Sequence, residues 1–250
     1  MPTRRGLLIF ILDWYDTYMS KLVIDIETVG EDYDSLDEKT QEVLTRWIKR
    51  ESANEQDYEN ALTELKDGLG FSPLTGQIVA IGVLDVEKNK GAVYYQAPNQ
   101  EIIESEENGI KFKVVSEEEM LKKFWEGAKS YNEVITFNGR AFDVPFIMVR
   151  SAIYKIRPSV NLMPPRYSSN SCHIDLADQL TFYGSVRRRG SLHLWCRALG
   201  IKSPKADGIQ GDDVGRLFKE GKFLDIAKYN VGDLYATRDL YHYWNDYLRF

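Results

Sequence analysis

Four carboxylates, Asp25, Glu27, Asp143 and Asp233, could together hold two divalent cations over a phosphodiester bond. Two-metal cleavage needs ions roughly 3.5–4 Å apart that clamp the attacking and leaving oxygens of one phosphate. Hard cations prefer oxygen ligands, so three or four carboxylates must converge. Rigid elements must carry them, because a loosely placed ion does not align an in-line attack.

Each carboxylate sits in a local pattern that is weak by itself. Asp25-x-Glu27 ends an apolar, β-branched run over residues 21–26, and residues two apart in a strand project to one face. Two charges on one face of a strand built for burial repel each other and lose solvation unless a cation joins them. Asp57-x-Glu59 and Asp85-x-Glu87 repeat the spacing. The former falls in an expected helix, where that spacing splits the faces; the latter lies at a hairpin mouth, where solvation is expected. Tyr229-x-x-x-Asp233 lies on an expected helix, where i and i+4 share a face. Tyr235-x-x-x-Asp239 and Tyr33-x-x-x-Asp37 match it too. Asn138-x-x-x-Phe142-Asp143 is the most specific segment, because it joins a strand end to a helix start. Alone, it also reads as an Asn-Gly turn followed by an Asp N-cap.

The elements that must position these groups follow from periodicity and turn chemistry. Residues 21–26 predict a strand with a polar exit. Residues 31–70 are charged, with Leu36, Val43, Leu44, Trp47 and Ile48 at helical spacing; two amphipathic helices over 36–51 and 55–67 are expected there as an insertion. Residues 77–85 and 92–96 predict strands joined by a hairpin turn at Lys88-Asn-Lys-Gly91. An acidic loop is expected next, then a capping box, Ser116 with Glu119, opening a helix to Lys129. A short strand over 133–137 precedes a helix from Asp143 to Ile156, with Asp143 as N-cap and Pro145 in the first turn. A Pro-rich loop over 157–170 leads to a strand over 172–176, and helices follow over 176–182, 191–199, 211–220 and 223–248. This order predicts an α/β fold: three antiparallel strands extended by parallel ones into a mixed sheet flanked by helices, with a helical insertion after the first strand.

Together and in this order, the three segments resemble the DEDD 3′→5′ exonucleases of the ribonuclease H-like superfamily. The resemblance is closest to the proofreading exonuclease domains of family B DNA polymerases and their stand-alone relatives. The first motif reads DIET (Asp25 to Thr28), the second FNGRAFD (Phe137 to Asp143) and the third YNVGDLYAT (Tyr229 to Thr237). Residues 20–250 are covered, apart from the 31–70 insertion. Leu234 and Thr237 after Asp233 are similar to the family pattern, whereas Asp239 lacks that sequel. Lys228 occupies the position where one subclass needs His, so the chain resembles the Tyr (DEDDy) subclass. The resemblance implies that Asp25, Glu27 and Asp233 hold the cation that activates water, and that Asp25 and Asp143 hold a second on the leaving oxygen. It implies two Mg²⁺ or Mn²⁺ ions, Tyr229 hydrogen-bonded to the nucleophilic water, and Thr28, Asn138 and Phe142 contacting the 3′-terminal nucleotide of a nucleic acid. Nucleoside 5′-monophosphates would be the products. Single-stranded DNA ends are favoured over RNA as substrate; the alternatives are an exoribonuclease or a nucleic-acid-binding module acting through a partner.

Composition sets the frame around these residues. With 43% hydrophobic and 28% charged residues, 250 residues are enough for one large domain with a full core. Cys172 and Cys196 form no C-x-x-C pair, which excludes a zinc ribbon and suits a reducing cytoplasm. The net charge of −6 is local: residues 31–67 carry twelve acidic and five basic side chains, −7, leaving +1 for the remainder. That acidic stretch is a candidate surface for a protein partner. Residues 179–206 hold no Asp or Glu but contain Arg187, Arg188, Arg189, Arg197, Lys202 and Lys205, so the global charge does not exclude a polyanion. Tyr183 and Trp195 are stacking candidates beside these arginines, whereas His173 and His193 read as structural and Lys202-Ser-Pro-Lys205 as a surface turn. Residues 1–18 are expected to be a start-site extension ahead of a single domain over 19–250. Their apolar run is too short for a signal segment or a membrane span, and none is expected elsewhere.

Overall fold

The structure is a computed structural model that describes residues 20–100, 104–168, 171–203 and 211–249. The expected 1–18 extension and Lys205 lie outside the described residues. Strand β1 (Lys21–Gly30) forms the centre, and its alternation divides the core in two. Leu22, Ile24 and Ile26 pack on one side with α3 (Glu117–Ala128) and α4 (Asp143–Ile153). Val23 and Val29 face the other side with α8 (Phe223–Tyr247), which supplies Leu234, Leu240, Tyr241 and Trp244. Asp25 and Glu27 fall between Val23 and Val29 in this alternation, so β1 turns both toward α8.

Strand β2 (Gly76–Asp85) pairs antiparallel with β1, with Asp25 opposite Gly82. β3 (Lys90–Tyr95) continues the antiparallel run, while β6 (Glu133–Thr136) and β7 (His173–Asp175) add parallel strands on the opposite flank. With β4 (Glu104–Glu107) and β5 (Ile110–Val114), the sheet order among the described residues is β4-β5-β3-β2-β1-β6-β7, a mixed sheet with helices on both faces and a ribonuclease H-like arrangement. A register shift between Glu27 and Thr28 bends the end of β1 beyond the paired carboxylates.

Two expectations need correction. Much of the expected acidic loop before Ser116 is a hairpin, β4 (Glu104–Glu107) and β5 (Ile110–Val114). Asn108 and Gly109 both have positive φ, 52° and 81°, which is the two-residue turn that suits the twist of a hairpin. Ile110 and Phe112 are buried, whereas the four residues of β4 are exposed and mostly acidic, as a guarded sheet edge should be. Asp143 is not an N-cap either: Phe142 holds that position, and Asp143 is the first helical residue of α4.

The helices between β1 and β2 fall where periodicity puts them, α1 (Glu38–Glu51) and α2 (Glu55–Gly68), capped by Asp37 and Asn54. Ser116 caps α3 by accepting the Glu119 N–H, as the capping box predicts. Short helices α5 (Leu176–Leu180), α6 (Leu192–Leu199) and α7 (Val214–Lys219) complete the chain before α8. Among the described residues, no helix is long and apolar enough to cross a membrane.

Candidate active site

Asp25 and Glu27 project from β1, and Asp233 meets them from α8. One oxygen from each lies within 4.8 Å of the other two. Burial raises the Asp25 carboxyl well above its ordinary range, and the charges of Asp233, Asp143 and Glu27 push it further. Glu27 is raised in the same way, first by burial and then by Asp233. Three crowded acids, Glu27 buried and Asp25 and Asp233 half-buried, form a donor set that a divalent cation would satisfy.

Asp143 stands beside this trio. Its Oδ1 accepts the Ile26 N–H at 3.1 Å, which ties the start of α4 to the central strand instead of capping the helix. Burial is the main cause of its rise from 3.8 to about 7; the Ile26 N–H opposes that rise, while Asp175 and Asp233 add to it. Tyr229 lies one turn before Asp233 on α8, close enough to feel that carboxylate's charge. Burial first, then Asp233, Glu27 and Asp25, hold its phenol far above the normal range, so it stays a proton donor.

The rival patterns separate in space. Asp239 pairs with its neighbour Arg238, and Lys228 pairs with Glu107 on β4. Asp85, expected to be solvated, is buried; it accepts from the Lys88 N–H, Lys88 Nζ and the Tyr131 hydroxyl. His173 is buried between Thr136 Oγ1 and the Leu162 carbonyl, and burial lowers its pKa. His193 meets Ser203. Trp195 packs against the core, so of the two stacking candidates only Tyr183 is exposed.

The nucleotide-contact candidates behave differently from one another. Asn138 adopts φ 63°, and its N–H donates to Asp175 Oδ1 at 2.8 Å, so the turn after β6 is clamped to the end of β7. Phe142 is half-buried, with its ring 5.6 Å from Phe146 and 6.4 Å from the exposed Phe71. The Thr28 hydroxyl is already used: it donates to the Gly70 carbonyl at 2.7 Å and anchors the end of the helical insertion on β1.

Sequence reasoning missed Asn230. Fully buried on α8, it donates through Nδ2 to Asp25 Oδ2 at 2.7 Å and to Glu27 Oε1 at 3.4 Å. One amide thus bridges two carboxylates that repel each other. Its Oδ1 is buried without a hydrogen-bond partner among the described residues, and it lies over Gly82. A Cβ at Gly82 would stand 1.8 Å from that oxygen and 2.8 Å from Leu234 Cδ1. An isolated glycine inside a buried strand was the available signal, because it marks close approach of a neighbour.

Comparison with known proteins is consistent with this geometry. Among curated proteins the chain has no match. The family B DNA polymerase from the hyperthermophilic archaeon Pyrobaculum calidifontis is similar in structure, with a TM-score of 0.56 and 13% identity over 91% of this chain. The chain spans 24% of that polymerase, and at this identity the likeness concerns the fold. Residues 74–248, which include Asp143, Tyr229 and Asp233 but not Asp25 or Glu27, match a family described as a predicted 3′-5′ exonuclease related to the exonuclease domain of PolB. The chain belongs to this family of predicted exonucleases.

Proposed function

We propose that residues 19–250 form a single exonuclease domain that removes nucleotides from 3′ ends by two-metal-ion chemistry, with single-stranded DNA as the favoured substrate. The observation that carries this reading is the meeting of Asp25, Glu27 and Asp233, from opposite ends of the sequence, in one crowded cluster beside Asp143. Asp25, Glu27 and Asp233 would hold one divalent cation, and Asp25 with Asp143 a second, either Mg²⁺ or Mn²⁺. Such ions supply stabilisation of phosphoryl charge and an acidified water. Tyr229, protonated and aimed at Asp233, orients the attacking water, as in the Tyr subclass. Thr28, Asn138 and Phe142 contact the terminal nucleotide, with the Thr28 hydroxyl also fixing Gly70. Exposed Val43 and Trp47, one turn apart on α1, support a protein partner at the acidic 31–67 segment.

Labelled single- and double-stranded DNA and RNA, incubated with and without Mn²⁺ or Mg²⁺, test the reading directly. Stepwise shortening from the 3′ end that stops with EDTA is expected. Intact ends on all four substrates would remove the enzyme reading.

The raised carboxylate pKa values make a separate prediction. An acid whose pKa is higher folded than unfolded binds more protons in the folded state, so stability falls as pH rises through its folded value. For Asp143, that loss falls between its ordinary 3.8 and about 7. The metal-free protein should therefore melt at a lower temperature at pH 8 than at pH 5. Mg²⁺ or Mn²⁺ should raise the melting temperature more at pH 8, where the ligands are ionised. An equal rise at both pH values in calorimetry would contradict the ligand assignment.

A further inference from the structure

The parallel strands β1, β6 and β7 end on one edge of the sheet, and register sets the spacing there. Val23 is level with Ile135 and Ile135 with Ile174, so Asp25 is level with the turn after β6, and Asp175, level with Thr136, ends β7 one position short of it. At about 4.8 Å between strands, the end of β7 lies about 10 Å from β1. The Asp175 carboxylate binds the two loops together, accepting the N–H groups of Asn138, Arg140 and Ala177. Helix α5 therefore starts near the candidate reaction centre, and the loop after it lies one short helix farther on.

This loop carries three unusual features. Phe182 and Tyr183 both adopt left-handed backbone, φ 47° and 55°, which is strained for aromatic residues. They are nevertheless exposed, by 50% and 42%, and Tyr183 meets the 78% exposed Tyr167 with ring centroids 5.3 Å apart. Positive charge is in excess: Arg166 forks onto the buried Asp178, with Arg189 at 3.9 Å and Arg140 at 4.0 Å from the same carboxylate. Asp175 is a second carboxylate close to this cluster. Arg187 and Arg188 are exposed and have no hydrogen-bond or ion-pair partner among the described residues. Arg140, Arg166, Phe182 and Tyr183, with the acidic Asp175 and Asp178, line part of an open cleft of about 680 Å³.

We propose that this arginine–tyrosine surface is a binding track for single-stranded nucleic acid, holding nucleotides a short way upstream of the 3′ end. Free guanidinium groups suit a run of phosphates, and exposed rings held at the cost of backbone strain suit unpaired bases. A single strand carries phosphates and bases together, and the surface offers cations for the first and rings for the second. The track rests on the exonuclease reading for its polarity, though not for binding itself.

Fluorescence anisotropy in EDTA, with 5′-labelled DNA and RNA oligonucleotides of two to twelve residues, tests the track without turnover. Affinity should rise with length beyond two nucleotides, for either polymer. The double variant Arg187→Ala/Arg188→Ala should lower the slope of log K against log salt by about 1.4, at about 0.7 per phosphate on a single strand. Tyr183→Gly should weaken binding roughly fivefold to a hundredfold by removing one stacking ring. Glycine accepts positive φ, so that variant relieves strain and is expected to fold. Unchanged slope and affinity in both variants would overturn the track, even if the unsubstituted protein shortens 3′ ends with Mn²⁺. Conversely, oligonucleotide binding that falls in both variants supports the track even in a protein that proves inactive, in which case only the exonuclease reading is lost.

Discussion

Asp25→Asn is expected to lower 3′-end digestion by about a thousandfold or more while leaving the fold intact. Asp25 is the carboxylate shared between both proposed cation positions, and losing several kcal/mol of charge stabilisation at 1.36 kcal/mol per tenfold gives that size. The same substitution should make the metal-free protein more stable at neutral pH. Asp25 is raised by burial and by the charges of Asp233, Asp143 and Glu27, so removing its charge relieves desolvation and repulsion together. Thermal unfolding with and without Mn²⁺ reads both effects: a higher baseline and a smaller metal-dependent rise. Asp239→Asn is the matched control, since Asp239 pairs with Arg238 away from the trio, and turnover should stay within about twofold. A variant at Asp25 that keeps a tenth of the activity would show that it is not a shared ligand.

Gly82→Ala is the second large effect, and it acts without touching any carboxylate. The added methyl would collide with Asn230 Oδ1 and Leu234 Cδ1, so α8 must shift or the Asn230 side chain must turn. Overpacking of this kind costs about 1–3 kcal/mol. Either movement takes the amide off Asp25 and Glu27, and a shift of α8 also disturbs the approach of Asp233, which rides on the same helix. Activity should fall along with stability. The control is the background Asn230→Ala, which removes the colliding oxygen: there the stability cost of Gly82→Ala should shrink, a coupling that a double-mutant cycle measures. Strict additivity of the two substitutions would mean that the contact carries no energy.

Much of this protein was legible in its sequence because the relevant information is local. The alternation of β1 puts Asp25 and Glu27 on one face, and the 3.6-residue repeat puts Tyr229 and Asp233 one turn apart; neither depends on distant contacts. Of the two expected caps, Ser116 was legible because it accepts an N–H within its own first turn, whereas Asp143 proved to be a helical residue. The missed hairpin was a matter of weighting. Asn108-Gly109 between a charged run and the alternation of Ile110 and Phe112 was the proper signal, but the acidity of residues 104–107 masked it.

What only the tertiary structure decided are the interactions between groups far apart in the chain. Asp143 could cap its own helix or reach another element, and packing of α4 on β1 gave its carboxylate to the Ile26 N–H, 117 residues away. The Thr28 hydroxyl went to Gly70 because the insertion returns to the sheet beside it. Asn230 reached Asp25 across 205 positions, over a glycine whose missing side chain makes room. Sequence periodicity determined which residues share a face, because a strand or helix has a fixed repeat. Which faces meet, and which polar groups satisfy one another there, was decided by burial: desolvated carboxylates and amides must find partners wherever the packed core brings them.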